Sequence, residues 1–143
     1  MKRFWIYLCA FASFLPLGKA ADSSSAQPVP ARADRTLEKR NLNAEQADKL
    51  IREKQEITIL DVRTPEEYAA GHIDKALNIN YYDQNFKKDV TRLEKRKTYL
   101  IYCASGNRSS KAREILIQIG MTNLYHLDGG FKAWQKASLS VVK

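Results

Sequence analysis

The chain has little cysteine: only Cys9 and Cys103 occur in 143 residues. This excludes a disulfide-stapled scaffold, and because the two lie in different kinds of segment we do not expect them to pair. Internal repeats are also absent. The apolar run at residues 4–17 would span only ~21 Å as a helix, short of the ~30 Å hydrocarbon core. What remains is enough chain for one globular domain, with an ordinary 44% hydrophobic and 28% charged composition.

Residues 1–20 have the pattern of a secretory signal peptide. Two basic residues open the segment, the apolar run follows, and small residues stand at positions 18 and 20. An uncleaved anchor is the alternative, which the shortness of the run disfavours. Cleavage after Ala20 would remove Cys9 and leave Cys103 as the one thiol of a periplasmic or otherwise exported protein, without a stable membrane anchor.

Residues 21–36 are rich in serine, alanine and proline and predict a flexible linker. We therefore place the folded domain at residues 37–143. Loss of three basic residues with the signal would leave 21 basic against 16 acidic residues, a net charge of +5. The basic residues mix with acidic ones and lack interleaved aromatics, so we expect a solvated face and no nucleic-acid partner.

Short apolar strands alternate with helical segments along the domain. We predict strands at residues 57–60, 76–79, 98–102 and 124–127, and helices at 43–54, 64–70, 86–93, 109–119 and 131–137. This order predicts an α/β class, a three-layer α/β/α domain with a mostly parallel central sheet. Ligands of such sheets bind at the carboxyl ends of the strands, where residues 61–63 and 103–108 both fall.

Cys103 follows the central strand and precedes a helix, a layout typical of an anion-binding nucleophile site. The helix N-terminus favours the thiolate, Gly106 lets successive backbone N–H groups converge, and Arg108 adds a positive charge. Four residues separate Cys103 from Arg108, whereas cysteine phosphatases have five. The narrower loop suits a sulfur atom carried on Cys103 better than a tetrahedral phosphate.

Three motifs in this order resemble those of the rhodanese family, the single-domain sulfurtransferases. They are residues 60–68 with 71–73, the loop 102–109, and residues 127–134, so the resemblance covers roughly 37–137. An exported one-domain form is similar to periplasmic rhodaneses of the phage-shock type. Where the family often has Pro-Gly, this chain has Asp74-Lys75.

The resemblance implies a persulfide cycle. The Cys103 thiolate would take the outer sulfur of thiosulfate or a similar donor and pass it to cyanide or a thiol, which includes a protein acceptor. The substrate-binding residues would be Ala104, Ser105, Gly106, Asn107, Arg108 and Arg63, with Asp61 in support. No cofactor is implied.

Two arginines keep alternative roles. Arg108 either faces the substrate or ties the loop to a carboxylate such as Asp61. Arg63 either orients the loop or the donor, or forms an ion pair with Glu66 or Glu67.

The two histidines of the chain, His72 and His126, do not predict a metal site. Their separation and the lack of a fourth ligand argue against one. We expect His72 to form a hydrogen bond within its own turn, and the aromatic side chains of the last helix to be core contacts.

Two other functional classes compete with sulfur transfer. A non-catalytic rhodanese-like binding module is one, although such modules commonly lack the cysteine that this chain keeps. A small phosphatase or arsenate reductase is the other, against which the loop length argues.

Overall fold

A computed structural model describes residues 40–143 apart from residue 55. The predicted signal peptide and linker lie outside the described residues. In chain order the elements are β1 Asn41–Leu42, α1 Ala44–Glu53, β2 Ile57–Asp61, α2 Pro65–Ala70, β3 Leu77–Asn78, α3 Phe86–Val90, β4 Thr98–Tyr102, α4 Asn107–Gln118, β5 Leu124–Leu127 and α5 Gly130–Lys136. Among these helices, none combines the length and apolar character that crossing a bilayer requires.

Five parallel strands form the sheet, in the order β1-β5-β4-β2-β3. β4 lies at the centre and pairs with β2 along its whole length, so that Asp61 stands beside Tyr102 at the carboxyl end. The predicted α/β class and parallel sheet are confirmed. The edge strand β1 was not predicted, because two residues carry no periodic pattern.

Helices cover both faces of the sheet and give two cores. On one face α3 and α4 bury Phe86, Val90, Ala112 and Leu116 against β2 and β4. On the other face α1 and α5 bury further apolar side chains, among them Phe131 and Trp134. The three-layer arrangement follows from strands that are apolar on both faces, as parallel sheets require.

The N-termini of α1 and α2 are closed by capping boxes. Asn43 and Thr64 each accept a hydrogen bond from the third helical residue, whose side chain in turn accepts one from the backbone N–H of the cap. The predicted helix from 109 was wrong at its start, since α4 begins at Asn107. The left-handed φ of 99° at Gly106 lets the loop enter the helix directly.

Two elements are shorter than predicted. β3 keeps only Leu77–Asn78, which pair with Leu60 and Asp61 of β2. α3 ends at Val90, and the hydroxyl of Thr91 donates to the carbonyl of Lys88 at 2.7 Å, which caps the last turn.

The turn before β3 contains one of the two described non-glycine residues with a positive φ. Lys75 has φ 59°, a left-handed conformation that glycine adopts without steric cost. This is the second residue of the Asp74-Lys75 pair that stands where the resemblance leads us to expect Pro-Gly. The backbone therefore takes a conformation suited to glycine although the side chain is lysine.

Candidate active site

The loop after β4 wraps around the sulfur of Cys103. The Cys103 residue is 1% exposed, and Gly106 brings its backbone N–H to 3.1 Å from Sγ. The hydroxyl of Ser109, in the first turn of α4, lies 3.4 Å from Sγ. The sulfur thus faces hydrogen-bond donors at the N-terminus of a twelve-residue helix, an environment that favours an anion.

The first turn of α5 holds the loop carbonyls on the opposite side. The backbone N–H of Phe131 donates to the carbonyl of Cys103 at 2.7 Å, and that of Lys132 donates to the carbonyl of Ala104 at 3.0 Å. With these carbonyls turned toward α5, the amides of the loop are free to point at the sulfur. The N-termini of α4 and α5 therefore both hold the loop in its conformation.

The environment of Cys103 favours its thiolate. Burial alone raises the pKa of the thiol, but hydrogen bonds from the Ser109 hydroxyl and from the backbone amides of Ser109, Ser105 and Gly106 outweigh it. The net effect is a pKa below the ordinary thiol value. A larger fraction of Cys103 is consequently in the nucleophilic form near neutral pH.

Arg108 is bound to Glu67 by two parallel hydrogen bonds of 2.7 and 2.8 Å. The exposed ring of Tyr82 lies over its guanidinium, 5.3 Å from centroid to Cζ. The arginine is thus tied to a carboxylate, as one of the two predicted alternatives held, but naming Asp61 as that carboxylate was wrong. The hydrogen bonds from Arg108 lower the pKa of Glu67 to about 2.

Asp61 and Arg63 form their own buried pair beside the loop. The Arg63 side chain is 4% exposed and Asp61 is 0% exposed; Arg63 Nη2 lies 2.7 Å from Asp61 Oδ2 and also donates to the carbonyl of Gly71. The predicted ion pair of Arg63 with Glu66 or Glu67 was wrong, because Asp61 is two residues away and already buried. The pair joins the end of β2 to the end of α2.

The remaining predicted loop residues differ in exposure. Ser105 and Asn107 are exposed, whereas Ala104 is half-buried beside a cavity of about 290 Å³. That cavity also touches Arg63 and Glu67. The structure therefore brings all the predicted site residues to one end of the sheet. Substrate contact by any of them stays a prediction.

The two histidines lie in different surroundings. His72 donates from Nδ1 to the carbonyl of Tyr68, 3.0 Å away, which confirms the hydrogen bond predicted within its turn. His126 is buried beneath the loop beside Ser109. Within residues 40–54 and 56–143, no three His, Cys, Asp or Glu side chains come together in the way that a metal ion requires.

Three contributors to the site were missed from the sequence. Glu67 was considered as an ion-pair partner of Arg63 only, and Ser109 only as the start of a helix. The close contact of Gly130 with the backbone of the loop was not predicted either. The ion pair between Glu67 and Arg108 leaves no signal in a short sequence window, because the two residues are 41 positions apart.

The Glu67–Arg108 pair predicts a pH-dependent contribution to stability. Because the folded-state pKa of Glu67 is about 2 against an ordinary 4.5, the contribution is fully present above about pH 4.5 and is lost as the pH falls toward 2. Glu67→Gln is expected to lower the free energy of unfolding at pH 7 by about 1 kcal/mol, after allowance for solvent screening of a partly exposed pair. Urea unfolding at pH 7 and pH 3 measures this.

The matched control for Glu67→Gln is Glu53→Gln, which breaks an exposed pair with Lys49 on α1. The control is expected to change the unfolding free energy by less than about 0.5 kcal/mol at either pH. The deficit of Glu67→Gln is expected to shrink by about half at pH 3. An equal deficit at both pH values would contradict the assignment of the pair.

An α/β domain whose cysteine sulfur is held in a loop at a helix N-terminus is the class that this fold and site define. The family model for the rhodanese-like domain matches residues 43–137. The chain therefore belongs to the rhodanese-like domain family.

Known proteins similar to this chain agree with that membership. The thiosulfate sulfurtransferase GlpE of Shewanella oneidensis is 31% identical over 86 residues, which cover 60% of this chain and 83% of that protein. An uncharacterized protein of Synechocystis is 34% identical over 93 residues, 65% of this chain, which spans about half (51%) of that relative's length. The crystal structure of a rhodanese-related protein from Thermoplasma volcanium has a TM-score of 0.64 at 35% identity, covering 72% of this chain and 97% of that one.

Proposed function

We propose that this protein is a thiosulfate-type sulfurtransferase that carries sulfur as a persulfide on Cys103. The observation that carries the proposal is the cradle around Sγ, where a backbone N–H at 3.1 Å and a hydroxyl at 3.4 Å meet at a helix N-terminus. The name of the Shewanella relative, a thiosulfate sulfurtransferase, supports the same chemistry.

The first half-reaction uses the thiolate as the nucleophile. Cys103 Sγ attacks the outer sulfur of thiosulfate, the sulfur–sulfur bond of the donor breaks, and sulfite leaves with the bonding electron pair. The product is a Cys103 persulfide anion, so the negative charge stays at the loop. The donors that lower the pKa of the thiol also suit this anion.

The second half-reaction returns the thiolate. Cyanide or an acceptor thiolate attacks the outer sulfur of the persulfide, the sulfur–sulfur bond breaks, and its electron pair returns to Cys103 Sγ. With cyanide the product is thiocyanate. Because the donor leaves before the acceptor reacts, we expect ping-pong kinetics.

In this proposal Arg108 acts on the loop and not on the donor. Both of its terminal nitrogens bind Glu67, and Tyr82 covers the guanidinium. Its positive charge is therefore compensated at the site. The backbone amides of the loop and the Ser109 hydroxyl are left as the groups that hold the sulfur.

The test follows the sulfur atom. The full-length protein is incubated with thiosulfate, freed of excess donor, and measured by intact mass spectrometry with peptide mapping. We expect a gain of one sulfur atom on the peptide that contains Cys103, sulfite released in equal amount, and loss of the gain with thiocyanate formation after cyanide is added. A protein that gains no sulfur from thiosulfate or other sulfane donors, yet hydrolyses an aryl phosphate ester or reduces arsenate, would overturn the proposal.

We propose further that the protein is exported. The support is the sequence of residues 1–20 alone, with its basic start, apolar run and small residues before position 21. N-terminal sequencing of the protein isolated from the cell envelope fraction tests this. A start at Ala21 is expected, and a cytoplasmic protein that begins at Met1 would contradict it.

A further inference from the structure

A closed polar cluster lies beneath the loop, and its histidine has no part in the mechanism above. Ser109 is 0% exposed and His126 is 5% exposed. Ser109 Oγ is 2.8 Å from His126 Nε2, 3.0 Å from the carbonyl oxygen of Gly106, and 3.4 Å from Cys103 Sγ. His126 Nε2 is itself 3.2 Å from the same carbonyl oxygen.

The donors and acceptors of this cluster determine where the protons of His126 and Ser109 lie. A carbonyl oxygen only accepts, so the approach of Nε2 to the Gly106 carbonyl requires a proton on Nε2. With that proton, His126 donates toward both the carbonyl and Ser109 Oγ, and Ser109 cannot donate back to the ring. The hydroxyl proton of Ser109 must therefore go elsewhere.

The carbonyl of Gly106 is a poor alternative for that proton. It already accepts from the backbone N–H of Ser110 at 3.0 Å and from His126, which together use both lone pairs. The acceptor that remains within reach of the Ser109 hydroxyl is Cys103 Sγ. A charged thiolate is also the stronger acceptor.

We propose that His126 is a positioning residue for the nucleophile: with its proton on Nε2 it directs the hydroxyl proton of Ser109 to Cys103 Sγ and so sustains the thiolate. The inference rests on the proposed function only in taking that thiolate as the reactive form. His126 acts through Ser109 and does not contact the sulfur or the substrate.

The surroundings of His126 keep its ring neutral. Burial lowers its pKa first, and Arg113 of α4 lowers it further. The Gly106 carbonyl and Asp128, just after β5, act in the opposite direction but are weaker. A neutral ring carries a single N–H, so the choice of nitrogen determines the direction of the Ser109 hydroxyl.

Two substitutions separate this role from simple packing. His126→Leu removes the donor, whereas in His126→Gln the side-chain amide can place an N–H near the position of Nε2. The pH profile of Cys103 alkylation by iodoacetamide is measured on the full chain, with the peptide that contains Cys103 read by mass spectrometry. The unfolding midpoint of each variant confirms that it is folded.

We expect His126→Leu to shift the Cys103 profile to higher pH and to slow alkylation at pH 7 by about tenfold, equivalent to one unit of pKa. His126→Gln is expected to stay within about threefold of the wild type. Ser109→Ala should reproduce the shift. Adding His126→Leu to Ser109→Ala should change the profile no further, because His126 acts on Cys103 only through the Ser109 hydroxyl. An unchanged profile in His126→Leu, or an equal shift in His126→Gln, overturns the proposal.

A measurement on the wild-type protein tests the same point if the variants do not fold. The ¹⁵N chemical shifts of the His126 ring distinguish the two neutral tautomers. We expect the proton on Nε2, and a proton on Nδ1 overturns the proposal. Neither readout uses sulfur transfer, so a protein that takes up no sulfur but shows these shifts would refute the proposed function and leave the role of His126 standing.

Discussion

Replacing Cys103 by serine is expected to abolish sulfur uptake from thiosulfate while leaving the protein folded. A serine hydroxyl stays protonated at neutral pH and cannot form the sulfur–sulfur bond on which the cycle depends. The fold should tolerate the change, because the hydroxyl can accept the hydrogen bonds that Gly106 and Ser109 give to Sγ. Intact mass after incubation with thiosulfate, together with the urea unfolding midpoint, measures both expectations.

Cys9→Ser is the matched control, since it removes the other cysteine of the full chain. We expect this variant to gain one sulfur atom as the wild type does. If Cys103→Ser still bound sulfur and Cys9→Ser did not, Cys9 would be the residue that carries the sulfur, and the prediction would be wrong. A Cys103→Ser variant that keeps full affinity for a protein partner, in a protein that never takes up sulfur, would instead favour a binding module.

The local parts of this site were predictable because each depends only on residues close together in the sequence. A cysteine after a β-prone run, a glycine three residues later and a patterned helix are enough to predict the loop. The capping boxes at Asn43 and Thr64 are local in the same way, since each depends on residues three apart.

The charge pairing was not predictable, because it is decided by tertiary structure. The sequence offered Asp61 as a partner for Arg108, and Glu66 or Glu67 as a partner for Arg63. The parallel register sets Asp61 beside Tyr102 and points it at the neighbouring Arg63, where both are buried. Glu67, in the first turn of α2, is then the carboxylate that faces Arg108 across the mouth of the loop.

The contact between His126 and Ser109 beneath the loop was also not predictable from the sequence. His126 lies in β5 and Ser109 in α4, 17 residues apart, and only the packing of that strand beside β4 brings them together. A sequence pattern presents His126 as an isolated histidine in an apolar strand. Its chemistry depends on acceptors that come from the backbone of the loop, which side-chain identities do not reveal.

The same dependence on close backbone packing makes Gly130 a decisive residue. Its φ is 59°, and a Cβ there would press on the carbonyl oxygen of Cys103 and lie 2.8 Å from both the Ala104 carbonyl carbon and the Ser105 nitrogen. These are backbone atoms of the loop itself and have no rotamer through which to yield. Either the loop or the first turn of α5 must move, and the hydrogen bonds from Phe131 and Lys132 join the two.

Gly130→Ala is therefore expected to lower the free energy of unfolding by about 3 kcal/mol, from the left-handed φ and the overpacked contact together. Gly120→Ala is the matched control: its φ is 92°, and a Cβ there meets no atom within 4 Å. We expect the control to lose only the conformational part, about 1 kcal/mol. Urea unfolding measures the difference, and Cys103 alkylation of the folded fraction should be slower in Gly130→Ala alone. Equal losses of stability in the two variants, with equal alkylation rates, would show that the loop does not depend on the close approach of α5.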